Sequence, residues 1–520
     1  MIYVIYITAG LILLGLCIFV HELGHLLGGK MVGIKAKTFS IGYGRGIIKK
    51  KIGDTTYQIA PIPFGGYCQF YGEDPSEERT GQGFEFLSAH PLRRIVTVAM
   101  GPLFNLFFGI IIFFVMNMVG YSKDTNQVHI PEQMRSGSQV SPAYAAGIRS
   151  GDRIVKINGQ EIQSFSDIQA AVLFSGGKKL DVTLERNGKS FLYAVNPKTH
   201  EGSGRYEIGV MPFGSRILVV ELMEGGAALL AGLREMDEII SINGVAVNSE
   251  AEFSRYINTH ADMPVRFRIM RKRAIIEKVI TPRLSDVIRF QTVDAQGNAG
   301  ESLSIMKSKN LQKYLDKGLI TVDRRIIPSY DALIRAVREN QGKKIALQID
   351  SEKYTGSAEI EKVGLIGIFQ AVAPDQVRVQ YGVGEALVQS FVEPYEFIII
   401  NLKGLGMLIT GKMKIRENLS GPIRIAKIAG DVAYYKGVPD FIILMAKISI
   451  ILMVMNLLPI PVVDGSHLIF FLIEAIRRKP MSQKVMERIQ TVGIIILITL
   501  SAFVIINDIS MLPAIQNFFR

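Results

Sequence analysis

An uncharged apolar run from Tyr3 to Val20 leads directly into His21-Glu22-Leu23-Gly24-His25. Crossing the hydrocarbon core of a bilayer takes about 17 to 25 residues, so the run is long enough to span it. In lipid such a segment has one workable form, a helix that satisfies its own backbone. On that helix His21 and His25 share a face and can offer imidazole nitrogens to one ion, with Glu22 beside them to activate its bound water. An His-acid-x-x-His pattern arises by chance in roughly one chain of this composition in a few hundred. A single histidine in an apolar helix is most simply a packed core residue. Two histidines and a glutamate beside lipid-length hydrophobicity carry a cost that calls for a function.

The remaining composition fits a membrane protein with large polar parts. The 520 residues are 48% hydrophobic, above the usual content of a soluble chain of several domains. Further apolar stretches of spanning length run from Ile95 to Val119, Phe441 to Val463 and Thr491 to Asn507, the third containing only Lys447. Glu385 to Thr410 is interrupted by Glu393, Glu396 and Lys403 and reads as an amphipathic helix against the membrane lipid. Cys17 and Cys68, the only cysteines, make neither a disulfide framework nor a thiolate zinc site. A net charge of +12 without a basic run interleaved with aromatics excludes a nucleic-acid partner. Lys30, Lys35, Lys37, Arg45, Lys49, Lys50 and Lys51, and again Arg477, Arg478 and Lys479, follow the first and third spans. By the positive-inside rule both loops are cytoplasmic, with the termini and residues 121–438 on the other side.

A catalytic zinc takes three protein ligands and keeps one position open, so a third donor is required. Asp464 is the best candidate, in Asn456-Leu-Leu-Pro459-Ile-Pro461-Val-Val-Asp464-Gly465, where two prolines break the third span and a glycine permits a turn. His467 is a rival ligand or an outer partner of one.

Together these motifs resemble the site-2 protease family. The resemblance rests on HELGH in the first span, Gly101-Pro102-Leu103-Phe104-Asn105 in the second, Leu419-Ser420-Gly421-Pro422-Ile423 before the third, and Asn456 to Gly465. The family's Leu-Asp-Gly is Val463-Asp464-Gly465 here, and Val463 donates no ligand. The resemblance implies Zn2+ held by His21, His25 and Asp464, Glu22 as general base, and Asn456 positioning the scissile peptide or its oxyanion. It also implies a membrane-re-entrant β loop around Pro63-Phe64-Gly65-Gly66-Tyr67, so that Gly65, Gly66, Tyr67 and Asn105 join Asn456 as substrate-binding residues. The implied setting is a bacterial inner membrane, where single-span membrane proteins such as anti-sigma factors, and remnant signal peptides, are cut after another protease has shortened them.

The section after the second span repeats itself. GIRSGDRIVKINGQEIQSFSDIQAAV from Gly147 returns 85 residues later as GLREMDEIISINGVAVNSEAEFSRYI. A weaker copy lies at an offset of 165, with Val322, Ile327, Leu333 and Val337 matching Ile157, Ile162, Ile168 and Val172, and Asp323-Arg324 replacing Asn158-Gly159. The copies resemble PDZ modules, which bind extended peptide termini at a sheet edge. The family carries at most two, so the third is a departure.

The expected fold is therefore a multi-domain membrane protein: an α-helical core of four spans, a re-entrant β segment, and tandem PDZ-like α/β modules outside. Its expected divisions are 1–34 (first span), 35–92 (β region), 93–120 (second span), 121–200, 201–284 and 285–365 (three modules), 366–438 (amphipathic helices), 439–490 (third span and its loop) and 491–520 (fourth span). Intramembrane endopeptidase is the leading function, with the modules restricting access. A catalytically silent scaffold that holds exported proteins on those modules is the rival, and zinc transport, lacking further intramembrane donor pairs, the weakest.

Overall fold

The computed structural model describes residues 2–74, 80–130, 140–200, 204–214, 216–223, 225–247, 250–271, 274–293, 299–305, 309–349, 352–418, 421–479 and 482–510. Leu419 and Ser420 of the expected motif lie outside these. The chain divides into two compact units, Met1–Ser122 with Arg378–Phe519, and Lys123–Val377.

The first unit contains four helices long and apolar enough to cross a membrane: Val4–Met31, Pro91–Val119, Val438–Leu457 and Arg488–Ile509. The first does not stop at the end of the apolar run. It continues to Met31, so HELGH lies inside the helix with two turns beyond it, and Gly33 at φ +74° ends it. The second begins at Pro91, where the fixed φ of proline suits a first helical position and His90 accepts from the Leu92 N–H at 3.3 Å. The third is shorter than its apolar stretch. Pro459 and Pro461 end it after Leu457, and a new helix, Asp464–Arg477, starts on the far side of the break.

Small residues let the first three spans touch. A Cβ at Gly24 would fall inside contact distance of the Met100 carbonyl oxygen, and one at Gly28 would lie 2.7 Å from Met100 Cβ. On the second span, a Cβ at Gly109 would come within 2.8 Å of Ile450 on the third. Such close backbone approach is how helices associate where lipid offers no hydrophobic drive. Cys17, Ile112, Phe113, Met116, Ala446 and Ile450 fill the resulting core.

Between the first two spans lies a four-stranded sheet in the order Ile48–Ile52, Thr55–Ile59, Ala36–Tyr43, Ile62–Phe70. Ala36–Tyr43 runs parallel to Thr55–Ile59 and antiparallel to Ile62–Phe70, leaving Ile62–Phe70 as an edge strand. The Glu385 to Thr410 segment is one helix, Val383–Ile409, whose Glu393 carboxylate accepts from the hydroxyl of Tyr121, just past the second span, at 2.8 Å.

The second unit is built from one motif used three times. Helices Phe165–Phe174, Glu250–Thr259 and Tyr330–Glu339 occupy matching places, at offsets of 85 and 165. Ahead of each sits a tight turn in which a left-handed residue accepts a backbone N–H. Asn158 (φ +50°) takes Asp181 at 2.9 Å, Asn243 (φ +48°) takes Arg266 at 2.8 Å, and Asp323 (φ +48°) takes Ala346 at 2.8 Å. Glycine follows in the first two, whereas Arg324 adopts φ +69° in the third with a Cβ in the way. Arg186 forks onto Asp152 and Arg271 onto Asp237, and each pair also ties down the carbonyl of Gly147 or Gly232.

The order of the modules along the chain differs from the expected divisions. In the first module Lys198–Thr199 and Tyr206–Glu207 form the base of a short hairpin, after which Met211–Pro212 pairs with Val128–His129. In the second the same base is made by Arg283–Leu284 with Gly364–Leu365, after which Ile368–Ala373 pairs with Arg216–Leu222. The third module therefore grows out of a hairpin of the second. The first module extends past residue 200, the second is completed only after 365, and Ile368–Ala373 belongs to its sheet rather than to an amphipathic region. Sheet pairing decides this, and chain order alone does not reveal it.

Candidate metal centre

His21 and His25 are placed by helical geometry alone: one turn apart, their Nε2 atoms lie 3.1 Å from each other. Asp464 joins them from the first turn of its own helix, with Oδ2 3.1 Å from His21 Nε2 and 3.5 Å from His25 Nε2. Among the described residues this is the one cluster of three or more such side chains whose donor atoms all come within 4.8 Å of one another. Asp464 Oδ2 is buried and makes no regular hydrogen bond. Two imidazole nitrogens and an ionised oxygen converging on one point are the donor set of a catalytic zinc, and these residues fit that ion.

The surroundings orient the donors. His25 Nδ1 donates to the Thr97 carbonyl at 3.0 Å, which leaves Nε2 free to ligate. Asn105, fully buried on the second span, has its amide nitrogen 3.5 Å from His21 Nδ1. Ser449 of the third span donates to Asn105 Oδ1 at 3.2 Å and to its backbone carbonyl at 2.9 Å. The Asn456 amide lies 3.3 Å from His21 Nε2, which brings it to the same centre. Gly101 is required by contact: a Cβ there would collide with the His25 ring.

Glu22 points to the sheet. The Cys68 N–H bonds its carboxylate, and a Cβ at Gly66 would lie 3.3 Å from Glu22 Cγ. Gly65, at φ +145°, leaves room for the Tyr43 ring, which stacks on Tyr67 at 6.2 Å. Gly65, Gly66 and Tyr67 all lie on the edge strand Ile62–Phe70.

The turn before Asp464 differs from the expectation that Gly465 supplies its freedom. The left-handed residue is Val462, at φ +85°, an uncommon conformation for a β-branched side chain. Gly465 is helical, and its missing Cβ makes room for the Leu457 and Leu458 carbonyls. His467 is not part of the donor cluster and packs beside the Phe470 and Phe471 rings. Thr97 escaped sequence reasoning because a backbone carbonyl leaves no signal. Ser449, a hydroxyl within an apolar span, did leave one.

The chain is a metalloprotease with helices of membrane-spanning length, and it belongs to Peptidase family M50, whose pattern spans residues 9–500. Over nearly its whole length the chain is similar to three curated bacterial proteins. It is 27% identical to the regulator of sigma E protease of Haemophilus influenzae, across 96% of this chain and 97% of that one. It is 26% identical to the protease RseP of Yersinia pestis, across 97% and 98%. With the regulator of sigma-E protease RseP of Salmonella typhimurium the identity is 25%, across 97% and 98%.

Proposed function

We propose that this chain is a zinc-dependent intramembrane endopeptidase of the bacterial inner membrane that cuts single-span membrane proteins near the cytoplasmic side. The observation that carries the reading is the meeting of His21, His25 and Asp464 within 3.1 to 3.5 Å, beside Glu22 and a sheet edge. Zinc bound there supplies a Lewis acid that polarises the scissile carbonyl and brings water toward ionisation at neutral pH. Glu22 takes the proton of the attacking water and returns it to the leaving amine. Asn456 and Asn105 hold the peptide and His21 in place.

A peptide bond inside a substrate helix is covered by its own turns, so the segment must unwind first. The strand Ile62–Phe70 offers a free edge for main-chain pairing, largely independent of side chains. Gly65, Gly66 and Tyr67 would set such a strand alongside Glu22. The PDZ-like modules exclude substrates that still carry a large outer domain. The names of the relatives favour an anti-sigma-factor-like substrate, with remnant signal peptides as a second class.

Glu22→Gln and Asp464→Asn are each expected to abolish cleavage of a single-span test substrate in reconstituted vesicles, while the protein stays folded. Full cleavage by either variant would refute the assignment.

A further inference from the structure

The third ligand has an unusual support. Asp464 is joined to its span by the break Leu458–Val463, which contains two prolines and the left-handed Val462. Strained backbone persists only where flanking elements over-determine it. What fixes the far flank is visible ten residues along the same helix. Glu474 receives a two-pronged bond from Arg94 of the second span, Nη1 to Oε2 at 3.1 Å and Nη2 to Oε1 at 2.6 Å. The two side chains are only 6% and 13% exposed. Arg94 is itself immobilised: Nε donates to the Ala89 carbonyl at 3.0 Å and the guanidinium lies 4.7 Å over the Phe471 ring.

We infer that the buried Arg94–Glu474 fork is a positioning device for the metal centre, setting the rotation and height of the helix Asp464–Arg477 so that Asp464 reaches the two histidines. The second span already carries the Thr97 carbonyl that orients His25 and the Gly101 gap that admits it. The fork references the third ligand to the same helix as the first two. A planar guanidinium paired at both nitrogens defines an angle as well as a distance, which a point charge or an apolar contact does not. Stability alone is a weak reason for such a pair, since well-packed apolar residues commonly do as well. The inference rests on the metal-centre reading above.

The test is zinc binding by the full-length protein in detergent, using zinc alone in a series of buffered free concentrations. Glu474→Gln and Arg94→Lys are expected to raise the half-saturating zinc concentration by about tenfold, the low end of the loss seen when a group that orients a metal ligand is removed. In an Asp464→Asn background the further change Glu474→Gln is expected to do nothing, because the ligand it positions is gone. The doubly apolar Arg94→Met with Glu474→Leu keeps the site packed if the single variants fail to fold, and it too is expected to bind zinc about tenfold more weakly. Unchanged affinity in the folded variants, or an equal further loss in the Asp464→Asn background, overturns the positioning role. If Asp464→Asn by itself leaves zinc affinity unchanged, the ligand assignment has failed instead.

Discussion

The two units of this protein use polar residues in opposite ways. In the repeat unit the turn residues Asn158, Asn243 and Asp323 recur at fixed offsets and do the same job, closing a turn onto a backbone N–H. The forks Arg186–Asp152 and Arg271–Asp237 are likewise one device used twice. In the membrane unit His21, His25, Asn105, Ser449 and Asp464 occur once each and converge on one point. The contrast follows from the solvent. In water a polar side chain is cheap and serves local architecture, whereas at membrane depth it is costly enough that a cluster of them calls for a function. Repetition marks structure here, and uniqueness marks chemistry.

The most damaging test of that contrast is Gly101→Ala. The added methyl displaces the His25 ring and is expected to lower cleavage about a hundredfold, because a shift of order one ångström at reacting groups costs about that much. Zinc content measured alongside should fall with it, and a fully active, zinc-loaded variant would break the picture. Next comes Asp237→Ala, which leaves Arg271 without its buried partner. The second module should lose about 3 to 5 kcal/mol, seen as faster amide exchange across its sheet, with the zinc content of the membrane unit unaltered. Loss of zinc in that variant would show that the units are not used independently.

The smallest effect concerns a loop that obeys the repeat-unit logic inside the membrane unit. Glu85 is buried and accepts from the Thr80 hydroxyl and N–H, the Gly81 N–H and the Ser88 hydroxyl. The Thr80 bonds first, then those of Ser88 and Gly81, bring its pKa down to about 2. A carboxyl depressed on folding contributes stability above its ordinary value near 4.5, and the contribution is lost as pH falls toward about 2. The protection factors of the Phe86 and Leu87 amides, taken against the intrinsic exchange rate at each pH, should fall over that window, and Glu85→Gln should remove this pH dependence.

Much of the site was readable because its motifs are local. The i, i+4 histidines meet wherever the chain is helical, and an apolar run of lipid length has little choice but to be one. Asp464 stood out as a carboxylate after a proline-broken span. Hydropathy was a poorer guide to the far end of the third span, where the apolar stretch outlasts its helix by six residues. Hydropathy reports the solvent around a segment, and helix ends are set by prolines, caps and left-handed turns. The third module was legible as a copy. Its insertion into a hairpin of the second was not, because Arg283 finds Leu365 only through sheet pairing.

By itself the sequence determined the spans, the shared face of His21 and His25, and the threefold motif, since each follows from a period in the chain. The tertiary structure decided that Asp464 meets the two histidines, that Gly66 lies against Glu22, and that Arg94 grips the helix that carries Asp464. These depend on how closely helices approach. That distance is set by missing Cβ atoms at Gly24, Gly28 and Gly101 and by one buried fork, whose partners lie 380 residues apart.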